Sequence, residues 1–152
     1  MNDGGLIGIF LQNLPVLVVV IPILLAPILA IITAPRVAWA ISVAGIGSAF
    51  LAAILLQSIT ESIGRVTYHL GNWEPPWGIE FVVDSATSLT LVIMTGLAFL
   101  ATLYARASLP AEIKHTDLGK CYAAWLLAAG GLFGLVATGD AFNLFVFLEI
   151  SA

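Results

Sequence analysis

The stretch LPVLVVVIPILLAPILAIITA, residues 14–34, decides the fold class of this chain, because 21 consecutive residues lack a charged side chain. A transmembrane helix needs about 20 predominantly apolar residues to cross a hydrocarbon core of about 30 Å. The stretch contains Pro15, Pro22 and Pro27, which membrane helices tolerate when neighbouring segments satisfy the freed carbonyl groups. It therefore predicts a first membrane-spanning helix.

The composition of the whole chain agrees with this prediction. Of the 152 residues, 61% are hydrophobic and 9% are charged, with a formal net charge of -4. Average soluble domains are about 45–50% apolar and about 25% charged. These values exclude a soluble globular enzyme and a disordered segment. The five Lys and Arg residues form no basic patch for nucleic acid, and the single cysteine, Cys121, excludes a disulfide framework.

Outward from residues 14–34, the hydropathy pattern predicts four further helices. Three of them are long enough to span a membrane, at about 37–59, 85–104 and 121–138. The fifth occupies residues 140–152, which reach only about 20 Å along a helix axis. The prediction is an all-α polytopic membrane protein with four full transmembrane helices and a truncated fifth.

The polar segment 60–84 separates the second and third predicted spans. Two β-prone stretches, residues 66–70 and 79–83, flank the turn-forming sequence GNWEPPWG at 71–78. Turn residues between two β-prone stretches are typical of a hairpin. A short external β-hairpin is therefore predicted between helices 2 and 3.

The cationic residues predict the orientation of the chain. With the hairpin outside, only Arg65 lies outside, and four cations lie inside: Arg36, Arg106, Lys114 and Lys120. This bias obeys the positive-inside rule. We therefore expect a multi-pass protein of a bacterial or archaeal inner membrane, with its N-terminus outside.

Glu149 is the residue that most strongly indicates a function. It follows Asp140 by nine positions, so it lies about 13.5 Å along the predicted helix, near the bilayer midplane. Its helical neighbours Phe142, Phe145 and Val146 are apolar. An intramembrane carboxylate costs about 2.5–3.5 kcal/mol on insertion scales, and such acids usually face a bundle interior or a water path. We interpret Glu149 as a proton-translocating group; a packing role through a hydrogen bond is the alternative.

Three further polar residues are candidates for supporting roles. Asp84 and Asp140 each precede a predicted helix, so N-capping is the first interpretation for both. The alternatives are a role at the hairpin base for Asp84 and a proton-exit or subunit-contact role for Asp140. Asn143 could support either role of Asp140.

The sequence offers no pattern typical of a metal or cofactor site. His69, Glu74, Glu80 and Asp84 share the hairpin segment but lack the spacing of metal ligands. Phosphate loops, nucleophile elbows, zinc motifs and redox-cofactor ligands are also missing from the sequence. We therefore expect no cofactor, no metal and no catalysis by this chain itself, and we expect His115 to be a solvated loop residue.

Three blocks of sequence resemble a known family. They are GNWEPPWGIEFVVD at 71–84, GLVATGD at 134–140 and GDAFNLFVFLEIS at 139–151. They are similar to the proton-translocating antiporter-like membrane subunits shared by respiratory complex I and the Mrp-type sodium/proton antiporters, and most of all to the branch formed by the D-type Mrp subunits. The resemblance covers the whole chain.

The resemblance implies a role for Glu149, which falls where the family carries its key fifth-helix glutamate. In the family this glutamate pairs with a lysine on a later, broken helix. Residues 1–152 then correspond to the N-terminal transmembrane segment of such a subunit: a fragment, a truncated gene or one piece of a split subunit. The implied partners are other membrane subunits, protons, Na⁺ and the lipid bilayer, with no nucleic acid.

These observations lead to three functional hypotheses. The first is a part of a multisubunit monovalent cation (Na⁺)/proton antiporter, with a proton path through Glu149. The second is an antiporter-like subunit of a complex I-type NADH:quinone oxidoreductase or a membrane-bound hydrogenase, and thus part of a redox-driven translocase. The third is a non-transporting tetraspan scaffold, against which the cost of the Glu149 carboxylate argues.

Overall fold

A computed structural model describes residues 13–70 and 78–152. These residues form five helices and a two-stranded sheet: α1 (Leu14–Ile31), α2 (Pro35–Ile63), β1 (Val66–His69), β2 (Glu80–Val83), α3 (Ser85–Glu112), α4 (Leu118–Ala137) and α5 (Ala141–Ser151). Residues 71–77 of the predicted turn, including Glu74, lie outside the described residues.

The predicted fold class is confirmed. Helices α1 to α4 are each long and apolar enough to cross a membrane. Helix α5 is apolar but has 11 residues, which reach about 17 Å. The chain is therefore a mostly helical, multi-pass membrane protein with a short fifth helix and a small hairpin between α2 and α3.

Proline and glycine set two helix boundaries. Helix α1 ends at Ile31, before the predicted end at residue 34, and α2 begins at Pro35. Proline suits the first position of a helix because its missing N–H would be unpaired there. Helix α2 continues past the predicted residue 59 to Ile63 and stops at Gly64, whose φ is 87°. Glycine adopts this left-handed conformation without a Cβ clash.

Helix α3 is longer than predicted. It continues past residue 104 to Glu112, so about half of the segment between the predicted third and fourth spans is helical. Tertiary contacts hold this extension, because the Arg106 guanidinium lies 4.6 Å from the ring centroid of Trp39 in α2. Pro110 is tolerated within the last turn, where its missing N–H removes only one helical hydrogen bond.

Helix α4 is the central helix and contacts each of the other four. Its glycines permit these close contacts. A Cβ built on Gly130 would lie 2.6 Å from the Ile23 side chain of α1, and a Cβ on Gly131 would lie 2.8 Å from the Ser151 nitrogen of α5. Small residues allow membrane helices to approach closely, so these glycines fix the positions of α1 and α5.

The hairpin covers the end of the bundle at which α5 begins. The strands pair antiparallel in the register Val66↔Val83, Thr67↔Val82, Tyr68↔Phe81 and His69↔Glu80. Strand β2 also joins the turn between α4 and α5, since the Gly139 N–H donates to the Glu80 carbonyl oxygen at 2.9 Å. The Phe81 ring lies 6.0 Å from that of Phe147. We call this end the hairpin end and the opposite end, with links 32–34 and 113–117, the loop end.

Candidate functional site

The start of α5 is fixed by its N-cap, Asp140. The Asp140 carboxylate accepts a hydrogen bond from the Phe142 N–H at 3.1 Å, and the Asp140 N–H donates to the Thr138 hydroxyl at 3.3 Å. A capping carboxylate satisfies an N–H that lacks a helical partner. The predicted capping role of Asp140 is therefore confirmed, and the hydrogen bond from the preceding Gly139 N–H holds this turn beside the hairpin.

Asp84 caps α3 in the same way. Its carboxylate accepts a hydrogen bond from the Thr87 N–H at 2.8 Å, and this bond holds the pKa of Asp84 below its ordinary value of 3.8. Because the pKa of Asp84 is lowered in the folded state, the cap stabilises the folded state fully at pH values above the ordinary pKa. It is lost as pH falls through the lowered pKa. The predicted capping role of Asp84 is confirmed as well.

Contacts with α4 define the depth of Glu149. Glu149 lies between Phe147 and Ser151, whose backbone atoms approach Gly131 of α4. Gly131 is six residues from the hairpin end of α4 and thirteen from its other end, or about 9 Å and about 20 Å along the axis. Glu149 is therefore level with a point about one third of the way along a helix that is long enough to span the membrane.

The Glu149 side chain belongs to the exposed face of α5. Asn143 and Phe147 are the buried residues of this helix, whereas Phe142 is 73% and Phe145 is 68% exposed. Glu149 is exposed with them. The acid therefore lies on a largely apolar surface that no described part of the chain covers.

Asn143 occupies a different face of α5 from Glu149. It is 2% exposed, and its side-chain nitrogen has no hydrogen-bond partner among the described residues. Asp140 and Asp84 lie at the hairpin end, where each is engaged in capping. The structure thus does not bring the three predicted supporting residues into contact with Glu149.

Within residues 13–70 and 78–152, Glu149 forms no ion pair and belongs to no cluster of potential metal ligands. Lys120 forms an ion pair with Asp117 there, His69 contacts Glu80, and no group of three potential metal ligands occurs among these residues. The His69–Glu80 contact, at 3.3 Å, pairs two residues facing each other across the hairpin.

A cavity of about 520 Å³ at the loop end, lined by apolar and cationic residues, was not predicted from the sequence. Arg36, Arg106, His115 and Tyr122 are among the residues that line it. The sequence indicates only an orientation signal for Arg36 and Arg106; the expected solvated position of His115 agrees with its exposure in the structure. One signal in the sequence could have indicated this cavity. The cations flank the predicted ends of separate helices. Because successive helices alternate in direction, these ends meet at one end of the bundle.

No protein-family model matches the chain, but individual relatives do. It is 35% identical over 143 residues to the N-type subunit of the NADH-quinone oxidoreductase of Desulforudis audaxviator, an alignment that covers 92% of this chain and 28% of that protein. It is 30% identical over 142 residues to the D-type subunit of the Na⁺/H⁺ antiporter of Bacillus subtilis, with the same coverage of 92% and 28%. It is 40% identical over 87 residues to the D-type subunit of a probable K⁺/H⁺ antiporter of Rhizobium meliloti, covering 57% of this chain and 15% of that one.

Solved structures share the fold. The chain superposes on a chain of the Mrp complex from Dietzia sp. DQ12-45-1b with a TM-score of 0.80 and 26% identity, covering 93% of this chain and 26% of that one. A chain of the archaeal membrane-bound sulfane sulfur reductase shares the fold at a TM-score of 0.77 and 24% identity, with coverages of 91% and 28%. The chain spans less than a third of the length of these relatives.

Proposed function

We propose, from the premise that this chain is homologous to the N-terminal part of antiporter-like membrane subunits, that it contributes a proton path to a multisubunit Na⁺/proton antiporter. Glu149 is the ionisable group of that path. The observation that carries the proposal is an exposed carboxylate on the apolar exposed face of α5, at a depth inside the span of α4.

The free-energy cost of placing this carboxylate in the hydrocarbon region supports a further protein segment packed against the exposed face of α5. A charged side chain in the hydrocarbon region is unfavourable by about 2.5–3.5 kcal/mol on insertion scales unless it meets a cation, a polar group or water. In the described residues, no cation pairs with Glu149. The face formed by Phe142, Phe145 and Glu149 therefore fits a further transmembrane segment that carries a cation, as the lysine of the resembling family does.

Such a pair of Glu149 and a cation would couple proton binding at Glu149 to movement of the cation. When the cation lies near Glu149, it favours the ionised carboxylate; when the cation moves away, the apolar surroundings favour the protonated form. A change in the position of the cation thus loads or releases a proton at Glu149. Asp140 and Asp84 lie at the hairpin end, where a released proton would leave toward the surface.

The redox-driven alternative rests on the relative from an NADH-quinone oxidoreductase. An exchange assay separates the three hypotheses. A complete assembly that contains this chain, reconstituted in liposomes, should move protons when Na⁺ is added, without NADH or quinone. Movement that requires NADH and a quinone would instead make the assembly a redox-driven pump, and movement under neither condition would leave the scaffold hypothesis. K⁺ in place of Na⁺ tests the choice of cation, since one relative is named for K⁺.

We further propose that the hairpin end faces outside, with the N-terminus outside. Arg36, Arg106, Lys114 and Lys120 belong to the loop end, and Arg65 belongs to the hairpin end. An inner membrane protein carries its excess of cations on the cytoplasmic side.

Cysteine labelling tests this orientation in a Cys121→Ser background. Thr67→Cys, on an exposed position of β1, should react with a membrane-impermeant maleimide in intact cells. Thr116→Cys, exposed in the link 113–117, should react only after the membrane is opened. The reverse pattern of labelling would contradict the orientation.

A further inference from the structure

The cavity at the loop end lies among three helix ends. It has a volume of about 520 Å³ and is lined by the start of α2, the end of α3, the following link and the start of α4. Its lining includes two guanidinium groups, from Arg36 and Arg106, and the His115 imidazole. This cavity is remote from Glu149, which lies on α5 toward the hairpin end.

The charges around the cavity are not neutralised by the described part of the chain. No acidic side chain lines the cavity, and neither Arg36 nor Arg106 forms an ion pair with a described residue. Two acids lie nearby in the sequence. Asp117 forms an ion pair with Lys120 at 3.2 Å, and Glu112 is exposed. The cavity therefore favours an anion.

Two polar groups in the lining lack partners. Tyr122 is 2% exposed, lines the cavity, and makes no hydrogen bond to a described residue through its hydroxyl. Helix α2 begins at the cavity with Ala34 as its N-cap and no side-chain cap. The first N–H groups of a helix have no internal acceptor and form a ready site for anions.

We propose that this cavity binds a phosphate group, supplied by an anionic phospholipid of the leaflet at the loop end. Arginine is suited to this ligand because its planar guanidinium donates two parallel hydrogen bonds to phosphate oxygens. Basic pockets between transmembrane helices are known places for anionic headgroups. The Tyr122 hydroxyl, which lines the cavity, and the N–H groups that follow Pro35 in α2 supply further donors.

An apolar groove favours a lipid over free phosphate. The groove has a volume of about 300 Å³ and runs between α3 and α4, the two helices that also supply Arg106 and Tyr122. Among its lining residues, Ala101 precedes Arg106 by five positions and Trp125 follows Tyr122 by three. The groove thus begins about 5–8 Å nearer the hairpin end, where the acyl chains of a bound lipid would lie.

Lipid retention by the full chain tests the proposal. The chain in nanodiscs of equal parts phosphatidylglycerol and phosphatidylcholine, released into native mass spectrometry, should retain phosphatidylglycerol. Arg36→Gln and Arg106→Gln together should lower that retention about tenfold or more, as expected for the loss of charged hydrogen bonds. Tyr122→Phe should lower it less while leaving the Arg106–Trp39 contact in place.

A matched variant separates the site from general surface charge. Lys114→Gln with Lys120→Gln removes the same two charges from the loop end without touching the cavity lining. Equal loss in this control, or unchanged retention in both the Arg36→Gln single variant and the double arginine variant, would overturn the proposal. Arg36-dependent binding of millimolar inorganic phosphate without any retention of phosphatidylglycerol would overturn the lipid as the source of the phosphate group.

Discussion

Glu149→Gln in the complete assembly should lower Na⁺-driven proton exchange by about a hundredfold or more, the range in which proton-transferring side chains contribute. Glutamine keeps the shape and hydrogen bonding of glutamate but cannot bind and release a proton. Aspartate at this position can bind and release a proton, but its side chain is one methylene shorter. Glu149→Asp should therefore retain part of the exchange. The measurement is Na⁺-dependent proton movement in everted vesicles, followed with a pH-sensitive dye at matched membrane abundance.

Glu112→Gln is the matched control for this prediction. Glu112 is an exposed helical acid too, but it lies at the last position of α3, at the loop end. Its replacement should leave exchange close to that of the wild type. Wild-type exchange by an assembled Glu149→Gln complex would show that Glu149 has a structural role only.

Gly119→Ala should destabilise the bundle by about 1–3 kcal/mol or more, the usual range for an overpacked core. A Cβ at position 119 would collide with the Ile32 carbonyl oxygen and lie 2.9 Å from that of Leu29. Both atoms are backbone, so neither can rotate away, and α1 would have to move from α4. The apparent melting temperature of the purified chain in detergent, read by size-exclusion chromatography after heating, should fall clearly.

Gly47→Ala is the control for this substitution. A Cβ there would lie 3.1 Å from the Phe99 ring, a side chain that can shift by a few tenths of an ångström. Alanine also favours a helix over glycine by about 1 kcal/mol, so the melting temperature should change little. Equal losses at both positions would contradict the close backbone contact between α1 and α4.

The fold could be predicted from the sequence because each signal was local. The uncharged residues 14–34 predicted α1, and the β-prone stretches around 71–78 predicted both strands of the hairpin. The extension of α3 to Glu112 could not be predicted this way. It depends on the contact between Arg106 and Trp39, residues 67 positions apart in the chain.

The candidate site was only partly predictable for the same reason. The capping roles of Asp84 and Asp140 follow from their positions before helices, and both are confirmed. The resemblance to antiporter-like subunits is confirmed by the relatives and the shared fold. The separation of Asn143 from Glu149 depends on which face of α5 packs against α4, and the cavity depends on which helix ends meet. Neither relation has a local signature.

The role of Glu149 itself remains the central proposal, and infrared difference spectroscopy of the complete assembly tests it most directly. Spectra taken before and after a change of Na⁺ concentration should show the C=O band of a protonated carboxyl group that appears or disappears. That band should be missing in Glu149→Gln and present in Glu112→Gln. An unchanged carboxyl band in an assembled Glu149→Gln complex would contradict the account, because the proton would then be carried by another group.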